Sequence, residues 1–167
     1  MKNLILPFIV LSLALSACKK DPDNWPDAEL DDSPGIDEYV HFVMGTDTLI
    51  FEEDNQIAAV LVSTSGSQKL SLSCNIPESS QWVLLFPYTN ATTYTLDLSN
   101  AAVQFQFTNS LVALKNISGS GTIHVSQTTQ QSKTYDVYNG SINLNMRDII
   151  SNDTLAGQAS FNIARVL

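Results

Sequence analysis

Over residues 39–167 apolar side chains recur at close to every second position, and no stretch of useful length carries the 3.6-residue period of a helix. Successive strand side chains point to opposite faces, so this pattern buries one face and leaves the other to solvent. Val103-Gln104-Phe105-Gln106-Phe107 alternates strictly, Val40 to Met44 alternates with Val43 breaking the polar side, and Tyr94, Leu96 and Leu98 share a face. Two runs are continuously apolar. Ile57 to Val62 reads as a central strand buried on both faces, and Trp82 to Phe86 is closed by Pro87. Gly45-Thr46-Asp47 and the stretch 63–67 with Gly66 read as turns, the second within a β-hairpin. In the last third, the segments beginning at Gly119, Asn139 and Gly157 each carry a glycine near the start and then an alternating run. They predict an antiparallel meander with Ile123, Val125, Ile142, Leu144, Met146, Phe161 and Ile163 facing inward. The expectation is an all-β domain, an antiparallel β-sandwich of about nine short strands with a barrel as the alternative. The sandwich is favoured because the face opposite each apolar stripe is Ser, Thr, Asn and Gln, which suits solvent.

The first residues obey a different rule. Lys2 is followed by an almost wholly apolar Leu4 to Leu15, interrupted by Pro7 and Ser12. That is the length of a signal-peptide core and too short for a helix across a bilayer, which needs roughly 20 residues. The run ends in Leu15-Ser16-Ala17-Cys18, which resembles the lipobox of bacterial lipoproteins, L-[AS]-[AG]-C. The resemblance implies cleavage before Cys18, a diacylglycerol on its thiol and an acyl group on the new amine. An ordinary secretory signal with Cys18 left over is the other reading. With two or more acyl chains the protein is anchored to a membrane without spanning it. The predicted organisation is a signal peptide over 1–17, a lipidated cysteine and linker over 18–38, and a single β domain over 39–167.

Charge separates linker from domain. Residues 19–38 hold two lysines against eight acids, together with Pro22, Pro26 and Pro34. Prolines break regular structure, like charges repel, and there is little apolar surface to offset ordering, so a disordered acidic stalk is expected. A 20-residue coil spans about 25 Å root-mean-square and about 65 Å fully stretched. A calcium loop starting at Asp21 fails, because Trp25 and Pro26 fall where a ligand and the turn glycine belong. Cys18-Lys19-Lys20-Asp21-Pro22-Asp23 resembles the export signal that places lipoprotein domains on the outer surface of Bacteroidota-type bacteria. Residues 39–167 hold five basic against nine acidic residues and no basic patch, which argues against nucleic acid as a partner.

Candidate chemistry is sparse. Cys74 lies on the apolar side of its alternation and reads as a buried, inert side chain rather than a reactive thiol. His41 and His124 are far apart in sequence and read as surface residues, so no metal site and no cofactor is expected. A glycosidase needs two carboxylates across a cleft. Glu52, Glu53, Asp54, Glu78, Asp136 and Asp148 are candidates, all in polar company. No nucleophile elbow, phosphate loop or zinc-protease motif occurs. Tyr88, Tyr135 and Tyr138 are expected in loops and are candidate sugar-stacking residues, with core or edge packing as the alternative.

Two further resemblances concern the domain. Gly121-Thr122-Ile123-His124-Val125 and Gly157-Gln158-Ala159-Ser160-Phe161 resemble the closing strands of small Bacteroidota lipoproteins of unknown function, and Thr93-Tyr94-Thr95-Leu96 is similar to another of their strands. This implies a β-sandwich and carries no functional residues. Asp47-Thr48-Leu49 and Asp153-Thr154-Leu155 resemble the D-[ST]-hydrophobic O-glycosylation site of exported Bacteroidota proteins, making Thr48 and Thr154 candidate acceptors; an Asp capping a turn explains both equally. The functional expectation is a non-catalytic binding or scaffolding lipoprotein on the outer-membrane surface, with the periplasmic face as the alternative. Its partners would be the membrane through acyl chains on Cys18, and glycans or envelope proteins. The alternatives are a carbohydrate-binding accessory lipoprotein of a glycan-uptake system and a cell-envelope hydrolase.

Overall fold

A computed structural model describes residues 35–52, 56–64, 66–76 and 79–167. The predicted signal segment, Cys18, the stalk before residue 35, and the acids Glu53, Asp54 and Glu78 lie outside the described residues.

The chain forms β1 (Tyr39–Met44), β2 (Asp47–Phe51), β3 (Gln56–Thr64), β4 (Ser67–Ile76), β5 (Ser80–Pro87), β6 (Thr93–Asp97), β7 (Gln104–Asn109), β8 (Ala113–Gln130), β9 (Lys133–Asp148) and β10 (Thr154–Val166). All pairings are antiparallel, in the order β2-β1-β10-β9-β8-β7-β5-β4-β3, with β6 also paired to β8. The domain is therefore all-β, as expected, built as one sheet.

That sheet is strongly curled. β1 and β7 are four strands apart in the pairing order, which on a flat sheet would separate them by about 19 Å. Yet the Phe42 ring lies 5.5 Å from Phe105 and 5.1 Å from Phe107, and Trp82 of β5 lies 5.7 Å from Phe161 of β10. The concave face closes on itself around these rings, with Leu70, Leu72, Leu84, Ile142, Leu144 and Met146 filling the core. One curled sheet thus presents two facing layers, which joins the sandwich and barrel expectations.

β8 makes the corner. Its first residues pair with β7 and its middle with β6. Between them a bulge at Asn116/Ser118 pushes an extra residue into the strand and bends it. The Asn116 side chain fastens this corner. Its Oδ1 accepts from the Phe105 amide at 2.9 Å, and its Nδ2 donates to the Leu98 carbonyl at 2.5 Å.

Three expectations need correction. The strands of the closing meander are long, with 18, 16 and 13 residues in β8, β9 and β10. Their glycines sit inside the strands rather than at the starts. At Gly140 a Cβ would come within 2.7 Å of the Thr122 carbonyl oxygen and 3.0 Å of the Phe161 ring, so glycine permits close approach on the tight curve. Secondly, Ile57 to Val62 is not a central strand: β3 is an edge, with Val60 51% exposed. Thirdly, Tyr135 and Tyr138 are strand residues of β9, both buried.

Candidate functional site

The inward side chains of β8, β9 and β10 form rungs across the sheet. Ile123, Gly140 and Phe161 pair directly, as do Val125, Tyr138 and Ile163 in the next rung. One step further the pattern turns polar, with Gln127, Asp136 and Arg165 in register. Alternation keeps these three on the concave side. The core is therefore closed at this end by a polar rung.

The rung is internally bonded. Arg165 Nη2 donates to Asp136 Oδ2 at 2.5 Å, Gln127 Nε2 donates to Asp136 Oδ1 at 3.1 Å, and the Tyr138 hydroxyl donates to Asp136 Oδ2 at 3.4 Å. The Arg165 guanidinium also lies 5.4 Å from the Tyr88 ring centre, within cation–π range. Burial, the largest single influence, lowers the Arg165 pKa, but the Asp136 hydrogen bond together with the neighbouring Tyr138 and Tyr88 more than offsets it, and the net shift is upward. Burial pushes the Tyr138 phenol well above its ordinary value, against the pull of Arg165. Arg165 Nε is buried with no hydrogen-bond partner among the described residues.

Beside the rung is a cleft of about 460 Å³, within the range of small-molecule sites. Tyr88, Tyr94 and Tyr138 supply its aromatic wall, and Thr89, Asn90, Thr92, Ser126, Gln127 and Asp136 supply its hydrogen-bonding groups. Its outer wall is the loop between β5 and β6, which is pinned at several points. The Tyr88 amide donates to the Gln68 carbonyl at 2.9 Å, and the Val125 amide to the Thr92 carbonyl at 2.8 Å. The Tyr94 hydroxyl donates to the Thr89 carbonyl and accepts from the Thr89 amide. Such a wall presents its groups already ordered, which reduces the cost of binding.

Of the expected sugar-stacking residues, the structure brings Tyr88 and Tyr138 to this cleft and not Tyr135. Tyr135 alternates to the opposite face of β9 from Asp136 and Tyr138. Tyr138 is 1% exposed, so its ring is not a free platform. Among the expected acids Asp136 lines the cleft, whereas Asp148 lies twelve residues further along β9 at the other end of the sheet. His41 and His124 lie on strands separated by β10 and β9, and both are exposed. Among the described residues no group of three or more His, Cys, Asp or Glu could hold a metal ion. Cys74 is buried, and burial raises its thiol pKa far above the ordinary range. Thr48 and Thr154 are exposed near strand ends. Gln127 and Arg165 were not anticipated as site residues; only continuing the alternation beyond the last apolar residue of each strand would have singled them out. No protein-family model matches the chain, and neither the curated proteins nor the solved structures contain a match.

Proposed function

We propose that the protein is a lipoprotein held by acyl groups on Cys18 at the outer membrane, facing the cell surface, and that its domain binds a ligand without catalysing a reaction. The observation that carries the binding reading is the polar rung of Gln127, Asp136 and Arg165 beside a cleft with a pinned wall. The Asp136 carboxylate is matched by Arg165, so the cleft offers little net charge. Its hydroxyl and amide lining suits a neutral, many-hydroxylated molecule. This favours a saccharide as the ligand, supporting the reading as an accessory binder for glycan uptake. Hydrogen bonding rather than broad ring stacking would do the recognition, because Tyr94 and Tyr138 are buried.

Thermal unfolding of the protein against a panel of soluble mono- and disaccharides tests this. Ligand at 100 times its Kd stabilises the folded state by about 2.7 kcal/mol. One sugar class should raise the Tm, and Gln127→Ala should abolish the rise while leaving the unliganded protein folded. A panel without any response, or a response unchanged in Gln127→Ala, removes the cleft from the proposal. Location is tested separately by protease treatment of intact cells: loss of the domain places it outside, and survival until the outer membrane is opened places it in the periplasm. For Thr48 and Thr154 we propose O-glycosylation, carried by the two Asp-Thr-Leu motifs. Intact mass of the natively expressed protein should exceed that of the acylated chain, and an unmodified mass ends that idea.

A further inference from the structure

The end of the sheet away from the polar rung carries an exposed apolar tip. Leu111 is 78% exposed, Ile149 58% and Ile150 68%. They come from two adjacent loops, 110–112 between β7 and β8 and 149–153 between β9 and β10. Both loops are stiffly built. Asn109 Oδ1 accepts from the Leu111 and Val112 amides, each at 2.8 Å. The Asp148 carboxylate accepts from the Ala113 amide at 3.1 Å and the Ile150 amide at 3.0 Å, and the Ile149 amide donates to the Ala113 carbonyl at 2.9 Å. The fold thus holds three large aliphatic side chains out in water on a rigid support, against the hydrophobic cost of exposing them.

Just behind the tip stand two cations. Lys115 of β8 and Arg147 of β9 are directly paired across the sheet and both exposed. Like charges directly opposite each other on a sheet face are destabilising, and an anion laid across them would relieve that cost. Arg147 precedes Ile149 by two residues, about 7 Å along a strand. Acids are also near: Asp153 is exposed on the same loop, and Asp47 begins β2, three strands from β9.

We propose that this tip docks on an anionic lipid surface. Leu111, Ile149 and Ile150 enter the acyl boundary, and Lys115 and Arg147 meet the phosphate groups. The dimensions agree, because interfacial elements bury their apolar face by about 5–10 Å, which leaves the cations at headgroup height. A protein partner fits less well: a stable interface covers about 800 Å² on each side, whereas this surface is three side chains on two short loops. The chain enters the domain at the opposite end, where the Asp37 carbonyl accepts from Asn162 Nδ2 at 2.9 Å and Glu38 Oε1 from the Ala164 amide at 2.6 Å. With the Cys18 anchor proposed above, on which this point rests, the tip is a second membrane contact, separate from the entry segment.

A fluorophore that brightens and shifts to the blue in apolar surroundings tests this, attached through Ser110→Cys beside Leu111 in the full-length acylated protein. The same protein without that cysteine controls for labelling elsewhere. The labelled protein is reconstituted into phosphatidylcholine vesicles or into vesicles that also contain phosphatidylglycerol. The neutral sample is then challenged with phosphatidylglycerol vesicles added from outside. The expected result is a blue shift wherever phosphatidylglycerol is present, in the same membrane or a second one, that weakens with salt. Ile149→Ser/Ile150→Ser should abolish it. Lys115→Gln/Arg147→Gln should weaken partitioning by roughly fivefold per charge. Both variants should retain the parent circular dichroism spectrum and Tm within a few degrees. An aqueous emission in every arrangement overturns the proposal, and so does an equal shift on neutral vesicles.

Discussion

Two buried carboxylates sit on the same face of β9, twelve residues apart, and the fold uses them in opposite ways. Asp136 is matched by side chains: the Arg165 guanidinium, the Gln127 amide and the Tyr138 hydroxyl. Asp148 is matched mainly by backbone, accepting from the amides of Ala113, Ile150 and Ser151 and from the Ser151 hydroxyl at 2.9 Å. A carboxylate consumed by backbone amides organises a loop and has nothing left to offer. A carboxylate held by side chains can exchange one of those partners for a ligand group. The same residue type on one strand therefore marks a structural end and a chemical end.

The largest expected effect comes from separating Asp136 and Arg165. Their side chains are 10% and 12% exposed, so removing one partner leaves a charge out of water. Arg165→Met should cost about 3–5 kcal/mol in urea unfolding, as for buried pairs elsewhere. Asp136→Leu combined with Arg165→Met should recover most of that loss, since an apolar pair of similar volume replaces both charges. A single-variant loss below about 1 kcal/mol, the value of an exposed pair, would show that water reaches the rung and that the two ends differ less than their contacts indicate.

The next effect is carried by pH. The Ile150 amide, then the Ala113 amide and Ser151, hold the Asp148 carboxyl below the usual carboxylate range, and Ser99 does the same for Asp97. For a carboxyl whose folded pKa is depressed, the folded state binds fewer protons than the unfolded chain. Its stabilisation is complete above the unfolded pKa of about 4 and disappears as pH falls through the lower folded value. Stability should therefore fall on acidification below about pH 4. Asp148→Asn should lower stability at neutral pH and flatten part of that acid limb, leaving the share of Asp97. An acid limb of unchanged slope in Asp148→Asn would mean that the loop is organised by its backbone alone.

The two ends also differ in how much of them could be read from sequence. Alternation placed Ile123, Ile142, Leu144, Met146, Phe161 and Ile163 inward, and they are buried. The same alternation continues to Gln127, Asp136 and Arg165, but there the apolar stripe stops, and with it the signal. Their meeting depends on the register of three strands, which is a long-range property. Glycine misled for a related reason: Gly140 marks a close approach inside a curled strand, where a local reading takes glycine for a strand start. Tyr135 and Tyr138 look alike in sequence, yet a spacing of three sends them to opposite faces. The β3 run misled because an apolar stretch reports hydrophobicity and says nothing of edge or centre. At the far end, Asn109 and Asp148 act on amides two or three residues away and, for Asp148, also across strands. Only the local part of that is visible in a sequence.

Corner and cleft wall give the smaller effects. Asn116→Ala removes the acceptor of the Phe105 amide and the donor to the Leu98 carbonyl at the bend of β8. A part-buried group left without its partner costs about 1–3 kcal/mol, so a loss in that range is expected from urea unfolding, with the slope m unchanged. Tyr94→Phe removes only the hydroxyl that ties the loop at Thr89, while the ring keeps its edge-on contact with Phe86, 5.1 Å between centres. About 1 kcal/mol of stability should be lost. The informative quantity is where that loss appears. If the pinned loop is the preordered wall of a binding site, hydrogen exchange should accelerate at the Thr89 amide and across residues 88–92, and stay unchanged at Ala113 and Ile150, whose amides bond to Asp148. Exchange that accelerates equally at both ends would mean that Tyr94 supports the whole sheet, and the case for a separately ordered cleft would fall with it.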